Sequence, residues 1–254
     1  MKKIVFITGA SAGFGKAIAE KFAAASYNII LNGRREERLI ELKKVLETQY
    51  GVDVLTFAFD VRDKAAVNAA IASLPGPWRQ VDILVNNAGL ALGRDFFDDA
   101  HIEDWETMID TNVKGLLYVT KAVLPQMTER KSGHIINIGS ISGKEVYEKG
   151  NVYCATKHAV DALSKSMRID LLRYGIKVTA IHPGAAETEF SMVRFKGDPQ
   201  AAARVYEGYT PLSAEDIADA VFYCSTLPAH VCINDLVITA TAQANSFHLH
   251  RNNS

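Results

Sequence analysis

Tyr153 and Lys157 lie four residues apart in a stretch with helical periodicity, a spacing that sets both side chains on one helical face. Of the nine tyrosines, only Tyr153 has a basic residue at that distance. A phenol with its ordinary pKa of about 10 is a poor base at neutral pH, and a neighbouring ammonium favours the phenolate and makes it a usable general acid and base. Ser140 follows the apolar run His134–Ile138 through Gly139. Open α/β sheets bind ligands at the carboxyl ends of their strands, so a hydroxyl there could hold a carbonyl or alcohol oxygen beside the phenol, or simply finish the strand as a polar cap. Ser142 is set aside, as is Tyr147, whose fourth residue on is Asn151 rather than a base.

A second constellation stands near the start, where Thr8-Gly9-Ala10-Ser11-Ala12-Gly13-Phe14-Gly15 joins an apolar run to a helical pattern. Glycines permit a tight turn and let backbone N–H groups approach a pyrophosphate, which the positive end of the helix then stabilises. Glycine spacing alone would specify only a strand-to-helix turn, but here a strand precedes, a helix follows and a second strand arrives by Asn32. After that strand, Asn32-Gly33-Arg34-Arg35 stands where an acid would hold the ribose hydroxyls of the unphosphorylated dinucleotide. Guanidinium groups can instead grip a 2′-phosphate with paired hydrogen bonds, so NADP(H) is expected over NAD(H).

These residues need a frame, and the hydropathy pattern supplies one. Apolar runs at Ile4–Thr8, Asn28–Asn32, Val54–Phe59, Ile83–Asn86, His134–Ile138, Lys177–Ile181 and Leu236–Thr239 alternate with helical patterns at about 14–26, 35–49, 63–73, 101–128, 151–174 and 214–226. Seven strands alternating with helices predict an α/β fold, a doubly wound Rossmann-type parallel sheet with helices on both faces. The 254 residues contain no repeat or low-complexity linker, so a single domain over 1–254 is expected. The segment 185–212 interrupts the alternation and is read as a substrate lid.

Composition narrows the function. The net charge of −1 gives no field for nucleic acid or anionic lipid. The apolar run after Met1-Lys2-Lys3 stops at Thr8, and no stretch is long enough to span a bilayer, which predicts an unexported cytoplasmic protein with no membrane partner. Three cysteines, an odd count with no Cys-x-x-Cys pair and no nearby histidine at zinc-finger spacing, read as free thiols, and no metal site is expected. His248 and His250 near the C-terminus read as a polar tail, and Leu236–Phe247 as a segment that could pack between subunits.

Thr8–Gly15, Asn86-Asn87-Ala88-Gly89, Asn112, Ser140, Tyr153-x-x-x-Lys157 and Pro183-Gly184 occur in the order of the short-chain dehydrogenase/reductases, which the chain resembles over essentially its whole length. The resemblance implies hydride transfer between NADP and an alcohol or carbonyl carbon. It implies Tyr153 as the acid/base, Lys157 as the group that lowers its pKa and holds the nicotinamide ribose, Ser140 as the substrate-orienting hydroxyl, and Asn112 in a water relay. It also implies that Asp60 and Val61 flank the adenine, Asn87 lines the cleft, and Pro183, Gly184 and Thr188 meet the nicotinamide end. Symmetric tetramers are usual in that family, so a homotetramer is implied.

Longer segments resemble the bacterial NADP-dependent 3-hydroxy acid dehydrogenases, a subgroup that includes serine and allo-threonine dehydrogenases. They are Asn86–Gly93, Asp104–Leu116, Gly133–Ser140, Thr188–Asp198 and Ser225–Asn234. The departures are Cys154, the charged run Lys144–Lys149, and a short Ala185-Ala186-Glu187. The implied substrates are L-serine, L-allo-threonine and 3-hydroxypropionate, or the corresponding semialdehyde; 3-oxoacyl thioesters, sugars and a non-catalytic nucleotide-sensing role are the alternatives. A hydroxy acid needs a cation beyond the reacting carbon, for which Arg194 is the candidate, with Lys144 and Lys149 as rivals and pairing of Arg194 with Glu189 as the competing use.

Overall fold

A computed structural model describes residues 2–252; Met1, Asn253 and Ser254, which the single-domain expectation included, lie outside them. The strands are β1 Ile4–Ile7, β2 Asn28–Gly33, β3 Val54–Ala58, β4 Val81–Asn86, β5 His134–Ile138, β6 Lys177–Pro183 and β7 Asp235–Ile238. They form one sheet in the order β3-β2-β1-β4-β5-β6-β7, parallel throughout. The order reverses between β1 and β4, the place where such sheets open a crevice for a ligand.

The strands read as unbroken apolar runs because both faces are covered. In β1, Val5 and Ile7 join one core cluster while Ile4 and Phe6 join the other, on the period of two that sends successive side chains to opposite faces. On the first face α1 (Gly13–Ala24) packs with α2 (Glu36–Tyr50) and a later helix, Ala214–Thr226. Phe22 of α1 sits edge-on to Tyr27 and Phe222, with ring centroids 5.0 and 5.3 Å apart. The opposite face is covered by α3 (Lys64–Ala72) and α5 (Leu116–Arg130), through Val67, Val119, Val123 and Met127.

Two stretches depart from the expected pattern. The predicted helix over 101–128 is α4 (Ile102–Ile109), a π-helical turn over Asp110–Gly115, and then α5. The wide turn carries Asn112, and π-turns of this kind are frequent at functional sites. The segment 185–212 is not irregular: it holds α7 (Glu189–Arg194), capped by the Thr188 hydroxyl, and α8 (Pro199–Arg204), capped by Asp198. Its ends are drawn together where Leu212 N donates to Ala185 O at 3.1 Å and Glu187 N to Leu212 O at 2.9 Å. The remaining helices are α6 (Asn151–Leu171) and α9 (Ala214–Thr226). Among the described residues no helix is long and apolar enough to cross a membrane.

Candidate active site

A cleft of about 960 Å³ opens at the carboxyl ends of the strands. One half is built from β1, β2 and the start of α1. Gly9 and Gly13 take positive φ (66° and 51°), conformations that side chains resist. A Cβ on Gly15 would collide with the Gly9 carbonyl, so the loop closes only around glycine. Asn87 secures it: its Nδ2 donates to Thr8 O at 2.8 Å and Gly9 O at 3.2 Å. The start of α1 has no side-chain cap and no acid in its first turn, whereas α3, α8 and α9 are all capped by Asp or Ser. Uncapped N–H groups at a helix N-terminus suit an anion, so this cradle fits the pyrophosphate of a dinucleotide.

Ser11, Phe14, Arg34, Arg35, Asp60, Val61, Asn87, Pro183, Gly184 and Thr188 all line this cleft with Gly9 and Gly13; Gly15 lies just beneath it. Arg34 stands 3.9 Å from Asp60, which Arg62 holds below the usual carboxylate range against the opposing effect of burial. Arg35 donates to Ser11 Oγ at 3.2 and 3.0 Å and to Glu189 Oε2 at 2.8 Å. Arg38 donates to the other oxygen of Glu189 at 2.7 Å. The sequence reading missed Glu189 as a member of this cluster; it lies on α7, 154 residues from Arg35 in the chain.

The second constellation assembles around the end of β5. Ser140 caps the short turn Ile141–Gly143: its Oγ accepts from Ser142 N at 3.1 Å and donates to Ser142 Oγ at 3.0 Å, so Ser142 supports Ser140 directly. Tyr153 and Lys157 project from the first turns of α6, both buried. The Lys157 ammonium donates to Ile138 O at 2.9 Å and lies 6.0 Å from the Tyr153 ring centre. Burial brings the Lys157 pKa down to about 8, which leaves it charged at neutral pH.

The environment of the Tyr153 phenol acts in both directions. Burial pushes the phenol above its ordinary value, with Tyr147 adding to the rise, while Ser140 and the Arg194 charge work against it. The Asn112 side chain is engaged at both ends: its Oδ1 accepts from Leu90 N at 2.8 Å, and its Nδ2 donates to Leu90 O at 2.8 Å and to Thr156 Oγ1 at 3.0 Å. These bonds hold the loop after β4 to α6.

On the far side of the cleft, Arg194 lies at the end of α7 with its guanidinium 5.5 Å from the ring centres of both Tyr153 and Tyr147. Its Nε donates to Gly93 O at 3.4 Å, and it has no carboxylate partner among the described residues. Glu189 is engaged with Arg35 and Arg38 instead. The rivals stand elsewhere: Lys144 bonds Asp161 and Asp235, and Lys149 lies over the Phe96 ring at 4.1 Å. Arg94 escaped the sequence reading, and Tyr147 was set aside there. Arg94 also lines the cleft, 6.0 Å from the Tyr147 ring centre, and Tyr147 holds a buried hydroxyl without a hydrogen-bond partner among the described residues.

The C-terminal segment closes the end of this half. Gln243 Oε1 accepts from Ala185 N at 2.8 Å, Ser246 N donates to Glu145 at 2.9 Å, and Ser246, Phe247, Leu249 and Arg251 line the cleft of their own chain. His248 is tied to Asn245 Oδ1 at 3.1 Å. Cys154 and Cys224 are buried and Cys232 half-buried, all as free thiols.

The nucleotide cradle, the reversed sheet order and the Ser-Tyr-Lys cluster define an oxidoreductase of one large class: the chain belongs to the short chain dehydrogenase family, whose profile matches residues 3–198. It is 52% identical over 242 residues to the NADP-dependent 3-hydroxy acid dehydrogenase of Salmonella typhimurium, covering 95% of this chain and 96% of that protein. It is 49% identical over 245 residues to sulfoacetaldehyde reductase 2 of Chromohalobacter salexigens, covering 96% of each. Among solved structures, the closed form of serine dehydrogenase complexed with NADP+ superposes with a TM-score of 0.91 at 50% identity, covering 98% of this chain and 99% of that one. The alcohol dehydrogenase of Thermococcus sibiricus, complexed with 5-hydroxy-NADP, gives a TM-score of 0.86 at 28% identity, covering 97% and 100%.

Proposed function

We propose that the protein is an NADP(H)-dependent dehydrogenase of small 3-hydroxy acids, among them L-serine, L-allo-threonine and 3-hydroxypropionate, or a reductase of the corresponding semialdehydes. The observation that carries this reading is Arg194, a guanidinium without a carboxylate partner placed over the ring of Tyr153. A cation so close to the acid/base leaves room for only a few bonds between the reacting hydroxyl and the acid group.

NADP(H) supplies or accepts the hydride. The uncapped start of α1 and the loop Gly9–Gly15 would hold its pyrophosphate, and Arg34 and Arg35 its 2′-phosphate. In reduction, Tyr153 gives its phenolic proton to the carbonyl oxygen as hydride reaches the carbon; in oxidation the phenolate takes the hydroxyl proton as hydride leaves. Ser140 holds the same oxygen, and the Lys157 ammonium, charged below a pH of about 8, favours the phenolate once it forms. The segment 185–212, hinged at the Ala186–Leu212 bridge, serves as the lid, and Phe190 packs it against Tyr153 with ring centres 5.7 Å apart.

A second reading is favoured by Arg94: two guanidiniums and the Tyr147 hydroxyl offer enough donors for a sulfonate in place of a carboxylate. A single domain assembled as a cytoplasmic tetramer completes the proposal; the exposed Ile169 and Leu172 at the end of α6 support subunit contacts.

The test is NADPH absorbance in a paired assay of NADP+ and NAD+ with L-serine, 3-hydroxypropionate and a neutral secondary alcohol, and of NADPH with sulfoacetaldehyde, using Tyr153→Phe as the blank. The expected result is turnover of the hydroxy acids with NADP+, falling by about 10²- to 10⁴-fold in the blank. Turnover of the neutral alcohol alone would remove the acid from the proposal.

A further inference from the structure

His182, one residue before the end of β6, is wholly buried and does not line the cleft. Its Nδ1 lies 3.2 Å from the Ser140 carbonyl oxygen, and its Nε2 lies 2.7 Å from Asp235 Oδ1 and 3.6 Å from Asp161 Oδ1. Lys144 donates to Asp161 at 2.7 Å and to Asp235 at 3.2 Å, and Lys165 donates to the other oxygen of Asp161 at 2.7 Å. Two carboxylates and an imidazole this close have the composition of a metal site, but the Lys144 ammonium already bonds both carboxylates and supplies the cation.

The cluster instead joins four elements: the turn after β5, the helix α6, and strands β6 and β7. Asp161 lies one helical turn beyond Lys157, as Lys157 lies one turn beyond Tyr153, so the network ties the turn carrying Ser140 to the helix carrying the other two groups. The ring is pressed against the strand end, because a Cβ on Gly139 would stand 2.5 Å from Nδ1. Glycine is what permits that approach.

We propose that His182 is a positioning residue for the reaction: braced by Asp235 and the Lys144–Asp161 pair, it holds the Ser140 carbonyl and thereby fixes the Ser140 hydroxyl relative to Tyr153. The inference rests on the roles given above to Ser140 and Tyr153. The Ser140 carbonyl and the Asp235 carboxylate are both acceptors, so serving both at once takes a proton on each ring nitrogen. Burial and the Lys144 charge push the histidine pKa below its ordinary value, while the bond to Asp235 opposes them. The complete arrangement therefore belongs to the acid side of neutrality, and on deprotonation the longer contact, to Ser140, is the one released.

The test compares His182→Asn, whose amide nitrogen replaces Nδ1, with His182→Gln, whose amide nitrogen replaces Nε2. At the acid end of the pH profile, H182N is expected to keep kcat within about threefold of wild type, and H182Q to lose about tenfold or more with KM for NADPH unchanged. As pH rises, wild type is expected to fall toward H182Q through an ionisation that H182N lacks. Variants that fall together, with a common drop in Tm, or that do not fall at all, would overturn the proposal. Nitrogen-15 NMR of the imidazole, assigned by its loss in H182N, gives a readout independent of substrate. A protonated Nδ1 that titrates as pH rises supports the inference. An Nδ1 without a proton at every pH where the protein is folded would sink it, whereas absence of turnover by wild type would count against the proposed function alone.

Discussion

The two halves of the cleft are made differently. The nucleotide half has a local nucleus: the loop Gly9–Gly15 and the arginines after β2 lie on consecutive elements, although Asn87 and Glu189 reach it from farther along the chain, and backbone N–H groups provide much of its chemistry. The half proposed for the substrate is gathered from distant places, with Arg94 from the loop after β4, Tyr147 from the turn before α6, Arg194 from α7 and the tail from beyond β7. A backbone cradle needs a particular turn and so leaves a compact signature, whereas a wall of side chains can be drawn from any loop that reaches the strand ends. Chemistry common to many substrates can be kept in the first kind of site, and discrimination among them in the second.

That division has consequences that can be measured. Replacing Arg34 and Arg35 together with serine is expected to raise KM for NADPH by about 10- to 100-fold, with NADH and the carbonyl substrate little affected; equal losses with both cofactors would place the arginines outside phosphate recognition. Converting Arg194 to methionine is expected to raise KM for hydroxy acids by about tenfold and to spare a neutral alcohol. Matching losses on both would show that Arg194 only packs against the tyrosines. The smallest effect is expected at the junction of the halves. Glu189→Gln frees Arg35 and Arg38 from a carboxylate and should lower KM for NADPH by about two- to fivefold, while a rise would mean that the ion pair itself orders the site.

The same division governs what was readable from residue order. The strands were found to within a few residues because a parallel sheet covered on both faces needs continuous apolar runs. The break between α4 and α5 was missed since a single wide turn hardly disturbs a helical hydrophobic pattern. The helices α7 and α8 have six residues each, too few to display a period, although Asp198-Pro199 is a cap followed by a residue suited to the first helical position. Ser140, Tyr153 and Lys157 were legible through their position against the end of β5. Arg94, Tyr147 and Glu189 were not, because nothing in the spacing of a loop arginine or a lid glutamate shows which distant group it will face.

The tail that returns from β7 gives the molecule an order in time. Gln243 bonds Ala185, and Arg251 reaches back to the carbonyls of Val205 and Glu207, all within the segment 185–212. As a ribosome delivers the chain, β1 to β4 and the glycine loop have been synthesised by Asn86, long before the tail that lines the other end of the cleft. The glycine loop is made early, whereas Lys157, Pro183, Gly184 and the tail, which complete the cleft, arrive late. A tag or truncation placed there is a change to the pocket rather than to an appendage.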